Sequence, residues 1–184
     1  MAHQYRHLLQ ALAKTPWAVD PTFAMRALAV LQIRVTGGAT PARAADPAPR
    51  AAPAGGSVMV LPVYGVLDYR ISAMDMACGD GGTSVAKLTA DFDAAVKDPN
   101  VKAILFEFDS PGGSVEGIPE LATKIFQARG TKPITAMVNT LCASAAYWLA
   151  SACDEIVVTP SGEAGSIGVF MLHIDESVAD EQAG

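Results

Sequence analysis

Lys102-Ala-Ile-Leu-Phe-Glu-Phe-Asp-Ser-Pro-Gly-Gly-Ser114 carries the reading of this chain. Its first seven residues, Lys102–Phe108, form a short apolar run bounded by turn formers, the mark of a buried strand. Asp109–Ser114 reads as a loop whose paired glycines let the backbone turn sharply. Beyond it, Ile118, Leu121, Ala122, Ile125 and Phe126 share one face of a helix over about Ile118–Arg129, closed by Gly130. Upstream, Val85, Leu88, Phe92, Ala95 and Val96 line a helix over about Thr83–Lys97, which Asp98-Pro99-Asn100 terminates. Val58–Val66, Ile134–Val138 and Ile156–Thr159 read as further strands, with a helix over Ala143–Ala152. Strands separated by helices of this length imply crossover units: an α/β fold with a mostly parallel sheet.

The chain has 184 residues, 51% hydrophobic and 17% charged, enough for a real core and too apolar for wholesale disorder. Three segments are expected. Residues 1–35 form a helical N-terminal arm, read as helical over 5–35, with Pro21 in a first helical turn after Asp20. Residues 36–57 are a linker: sixteen of these 22 positions are Ala, Pro or Gly, which cannot bury enough surface to offset chain entropy. Residues 58–184 form the main domain. Its Lys and Arg number seven against seventeen Asp and Glu, so nucleic acid is not an expected partner.

No secretory signal opens the chain. Pro133–Cys153 carries no charge over 21 positions, yet its Thr, Asn, Ser and Ala content suits a buried strand and helix better than a membrane span. Cys78, Cys142 and Cys153 lack zinc-ligand spacing and read as small buried hydrophobes; no metal or cofactor is expected.

Two loops follow strands and open helices. Free amides of the Gly112-Gly113 turn could hold an oxyanion or pair with an extended peptide, although Pro-Gly-Gly also makes a plain tight turn. Ser144 stands at the mouth of the following helix, where dipole and unpaired amides favour negative charge. It could act as a nucleophile with the Ala145 amide beside it, or simply serve as an N-cap. Tyr147 and Trp148 are expected to pack that helix into the core, and Asp109 to brace the glycine loop.

Taken together, Asp109-Ser110-Pro111-Gly112-Gly113, Ala143-Ser144-Ala145-Ala146-Tyr147 and Gly165-Ser166-Ile167-Gly168-Val169 resemble the signal peptide peptidase A family of serine proteases. Within it the chain is most similar to the capsid (prohead) maturation proteases of tailed phages, a branch that Pro16-Trp17 also fits. The resemblance runs from about Val58 to Ser177 and implies a ClpP/crotonase-like spiral fold. It implies Ser144 as nucleophile, Gly113 with Gly112 as the oxyanion loop, and the Ala145 amide as second donor. A neutral lysine would act as base. It further implies protein substrates (scaffold, capsid or portal proteins), a homo-oligomer, no membrane, and a setting in the host bacterial cytoplasm and the prohead.

The chain departs from that pattern at the base. The family's lysine lies far enough beyond its serine to overshoot Gly184, and Lys14, Lys87, Lys97, Lys102, Lys124 and Lys132 do not match it. These residues are therefore expected to be the N-terminal portion of a longer protease, nearly inactive alone. His173, with Asp175 nearby, is a possible substitute base, and Ser166 a possible site-lining residue. The competing expectation is a catalytically dead assembly or scaffold component with a protease-like fold; a coenzyme-A-binding crotonase relative is a third.

Overall fold

A computed structural model describes residues 16–22, 24–25, 57–70 and 82–171. In chain order the elements are β1 (Trp17–Val19), β2 (Ser57–Asp68), β3 (Thr83–Ser84), α1 (Val85–Lys97), β4 (Val101–Ser114), α2 (Ile118–Ala128), β5 (Ile134–Ala143), α3 (Ala145–Ser151), β6 (Glu155–Val158) and β7 (Glu163–Gly165). They form a seven-stranded sheet in the order β3-β2-β4-β5-β6, with β7 beside the end of β5 and β1 beside the end of β4. Every pairing is parallel except that of β1 with β4. The mostly parallel α/β sheet is thus the one the strand–helix alternation requires.

Hydrophobic periodicity accounts for the core. Ile104, Phe106 and Phe108 alternate inward along β4, and Val85, Leu88, Phe92 and Ala95 form the buried face of α1. Phe92 meets Phe106 at a ring separation of 5.7 Å, and Phe106 meets Phe108 at 6.1 Å. Burying each such side chain contributes roughly 1.5–3 kcal/mol. Ile118, Leu121, Ala122 and Ile125 of α2 join the same cluster. Glu107 points the other way from β4. It accepts hydrogen bonds from Tyr64 Oη of β2 (2.6 Å) and Asn139 Nδ2 of β5 (2.8 Å), a polar tie across three strands just below the site.

Three expectations need correction. Residues 17–19 are a buried strand rather than helix, because β4 offers Ala18 and Asp20, and Phe170 offers Trp17, backbone partners that no helix could supply. Helical structure starts instead at Pro21, with Asp20 Oδ1 accepting from the Thr22 amide at 2.9 Å. The remainder of the expected arm, and the linker up to residue 56, lie outside the described residues. Asp109–Ser114 is not a loop: β4 runs on to Ser114, flanked by β1 and by Val66 and Leu67 of β2. Likewise β5 continues to Ala143, since β7 pairs with Leu141, Cys142 and Ala143. The uncharged stretch Pro133–Cys153 is strand followed by a seven-residue helix, and no described helix is long and apolar enough to cross a membrane.

Candidate active site

The parallel sheet brings the ends of β4 and β5 side by side, which sets the glycine pair against the turn into α3. Gly112 has φ +94, and a β-carbon there would stand 2.9 Å from the Ala143 carbonyl oxygen and 3.0 Å from the Ala145 amide nitrogen. At Gly113 a β-carbon would lie 1.9 Å from the Leu67 carbonyl oxygen. Only glycine admits this double approach of backbones. Ser110 shapes the turn from below: its buried hydroxyl donates to the Gly65 carbonyl at 2.6 Å and accepts from the Gly112 amide at 3.2 Å. The Gly112 amide is therefore engaged by Ser110. Sequence reasoning missed Ser110; its only signal was a small hydroxyl residue directly before Pro-Gly-Gly.

Ser144 is the single residue between β5 and α3, and its backbone is held at φ 52, ψ −111. Such conformations cost a non-glycine residue of order 1–3 kcal/mol and persist only where the surroundings enforce them. Here the Ser144 amide donates to the Gly165 carbonyl (2.8 Å) and its carbonyl accepts from the Trp148 amide (2.8 Å). The side chain makes no N-cap bond; Oγ donates to the Gly168 carbonyl at 3.0 Å. A strained serine on a sharp strand-to-helix turn is the geometry by which hydrolases present a nucleophilic oxygen.

Beside Ser144 lies a cavity of about 360 Å³ lined by Ala18, Tyr147, Trp148, Ser151 and the Ile167–Val169 segment, mostly apolar. Trp148 is 40% exposed on this cavity, so it does not pack into the core as expected, whereas Tyr147 is half-buried against the core. Ser166 also has positive φ (56) and follows Gly165, the partner of the Ser144 amide. Asp109 Oδ1 accepts from the Thr140 hydroxyl, tying β4 to β5 next to the glycine turn. His173 and Asp175 lie outside the described residues.

Four of the five described lysines have partners other than Ser144. Lys87 pairs with Asp91 and Lys124 with Asp93, each at 2.5 Å. Lys102 donates to the Pro99 carbonyl, Lys132 to those of Ala95 and Asp98, and Lys97 is exposed on α1. Cys142 and Cys153 are buried, and desolvation pushes both thiols up to about 12, so they are neutral packing groups. Cys78 lies outside the described residues. No group of three or more potential metal ligands occurs among the described residues.

Residues 127–184, which include Ser144 and the turn that holds it, match Peptidase family S49. Over that stretch the chain is similar to this peptidase family. The chain is 38% identical over 127 residues to the head-tail preconnector protein GP5 of Enterobacteria phage P21, covering 69% of this chain and 25% of that protein. It is equally 38% identical over 127 residues to capsid assembly protease C of Escherichia phage lambda, covering 69% and 28%. Protease 4 of Salmonella typhi matches at 37% over 91 residues, covering 49% and 14%. The chain spans about a quarter of the length of the two phage relatives. Among solved structures, an enoyl-CoA hydratase/isomerase family protein from Silicibacter pomeroyi superimposes with a TM-score of 0.42 at 16% identity, over 62% of this chain and 53% of that one.

Proposed function

We propose that this chain is the nucleophile-bearing part of a serine endopeptidase that cleaves scaffold, capsid or portal proteins during phage head maturation. It works as a homo-oligomer inside the prohead, in the host bacterial cytoplasm. The observation that carries the reading is Ser144 itself, a strained serine on a strand-to-helix turn with Gly112 and the Ala145 amide packed against it. Similarity to phage proteins named for head-tail connection and capsid assembly supports the setting.

In this mechanism Ser144 Oγ attacks the substrate carbonyl, and the Gly113 and Ala145 amides receive the developing oxyanion. One such donor is worth about 3–4 kcal/mol in acyl transfer. A neutral lysine takes the serine proton and passes it to the leaving amine; water then resolves the acyl-enzyme. Four described lysines hold other partners and Lys97 is exposed on α1, so in this reading the base comes from outside the described residues or from a neighbouring subunit. Binding of the base would draw the Oγ proton away from the Gly168 carbonyl, its present acceptor.

That acceptor also favours a second reading, a catalytically dead assembly or scaffold component with a protease-like fold, because a hydroxyl donating to a carbonyl is not activated. Labelling of the full-length protein with a fluorophosphonate separates the two. Covalent modification at Ser144, abolished in Ser144→Ala together with processing of prohead proteins, is the expected result. Absence of labelling, with processing intact in Ser144→Ala, overturns the protease reading.

A further inference from the structure

The segment Pro16–Asp20 sits where an incoming peptide would have to lie. β1 pairs antiparallel with the glycine end of β4, in the register Trp17–Ser114, Ala18–Gly113 and Val19–Gly112. The ladder is bracketed by the Asp20 amide donating to the Pro111 carbonyl (2.7 Å) and the Val115 amide donating to the Pro16 carbonyl (3.3 Å). Hydrogen-bonding pairs in an antiparallel ladder recur at every second residue, so the pair between these two is Ala18–Gly113. The Gly113 amide accordingly faces the Ala18 carbonyl. On its other edge, Trp17 exchanges both backbone bonds with Phe170, each 2.9 Å. Three residues are thus held along the edge of β4, as a peptide added to a sheet edge is held, with Trp17 also bonded to Phe170.

The side chains divide by face. Trp17 and Val19 pack on Val66 with Ala24 and Phe170, forming a small cluster separate from the main core. Ala18 points the other way and lines the cavity that contains Ser144. Its carbonyl oxygen lies 2.2 Å from the point a Gly112 β-carbon would occupy, and the Ala145 amide nitrogen lies 3.0 Å from the same point. A carbonyl beside the Gly113 and Ala145 amides, with its side chain in the pocket next to Ser144, is the placement required of the residue whose peptide bond is attacked.

We infer that Pro16–Asp20 is a built-in pseudosubstrate, occupying the strand position of an extended peptide with Ala18 in the place of the residue preceding the cleaved bond. The inference rests on Ser144 as nucleophile for its catalytic meaning, while the occupancy itself rests on the pairing of β1. It also defines the substrate class. The site takes an extended peptide with an apolar residue before the scissile bond, and the cavity beside the Ala18 methyl has room for a larger apolar side chain than alanine. Because the occupant is part of the same chain, it competes with every substrate regardless of enzyme concentration.

The test uses the full-length protein carrying Ser144→Ala, so that nothing is cleaved, and a fluorescein-labelled peptide copying residues 14–22. Trp17→Ala removes the anchor of the segment, and Ala18→Pro removes its central backbone donor. Each is expected to tighten peptide binding, read by anisotropy, by about tenfold or more over the parent, since the competent state is freed. Equal binding by parent and variants of unchanged melting temperature overturns the inference. Amide hydrogen exchange on the unaltered chain covers the case of variants that fail to fold. Excess peptide should speed exchange at Trp17, Ala18 and Asp20 while Gly113 and Val115 stay protected; no change at the first three is equally fatal. Fluorophosphonate labelling with Ser144 restored separates this inference from the protease reading. Peptide binding without labelling leaves the occupied edge standing and removes the nucleophile.

Discussion

Replacing Gly112 by alanine perturbs the one point at which β1, β4 and the turn into α3 converge. Two separate costs follow from the geometry. The backbone at φ +94 disfavours any L side chain by about 1–2 kcal/mol. The new methyl would stand 2.2 Å from the Ala18 carbonyl oxygen, 2.9 Å from that of Ala143 and 3.0 Å from the Ala145 amide nitrogen, all backbone atoms without a rotamer escape. Overpacking of that kind costs about 1–3 kcal/mol. The sum is about 2–5 kcal/mol, and at roughly 2–4 °C per kcal/mol for a domain of this size, Tm should fall by roughly 4–20 °C. Gly130→Ala supplies the control: φ is +77, yet nothing lies within 4 Å of the added carbon, so only the first cost applies. Melting of both variants by circular dichroism isolates the steric part as their difference. The shortest contact is with Ala18, so the least costly relaxation is detachment of β1, visible as faster amide exchange at Trp17 and Asp20. A Gly112→Ala protein that melts no lower than Gly130→Ala refutes the convergence described here.

Other expectations follow from the same structure. Ser144→Gly should exceed Ser144→Ala in stability by about 1–2 kcal/mol, since both lose the Oγ bond to Gly168 but only glycine relieves φ 52; equal melting temperatures would remove the strain argument. Arg129→Lys should cost about 1–3 kcal/mol in urea unfolding. One guanidinium donates to the Ser151, Ala152 and Cys153 carbonyls at the end of α3 while lying 4.6 Å from the Phe126 ring, a geometry an ammonium cannot reproduce. The thiols set an alkaline limit. Burial raises Cys142 from 9.0 to about 12, with Cys153 adding to it; burial likewise raises Cys153 to about 12, with Arg129 opposing and Asp154 adding. Unfolded thiols therefore release protons above pH 9 that folded ones retain, so their contribution is intact below pH 9 and lost between pH 9 and 12, at up to about 1.4 kcal/mol per pH unit per thiol. The alkaline fall in Tm should flatten in the Cys142→Ala, Cys153→Ala double variant; an unchanged slope would contradict it.

Legibility followed the range of the forces involved. The 3.6-residue spacing of Val85, Leu88, Phe92 and Ala95, the apolar run of β4 and the turn at Asp98-Pro99-Asn100 are local, so sequence alone determined the alternation of strands and helices and hence the parallel sheet. The motif residues Gly112, Gly113, Ser144 and Ala145 were equally visible, being written as short words at strand ends. Tertiary structure decided whatever depended on a partner distant in the chain. Pro16–Asp20 has no strand signal of its own beyond Trp17 and Val19, and becomes β1 because β4 and Phe170 hold unpaired backbone groups on either side of it. The same reason carries β4 through Pro-Gly-Gly to Ser114 and β5 through to Ala143. It also decides Ser144, whose backbone strain is imposed by Gly165 and Trp148 and could not be read from the residues around it.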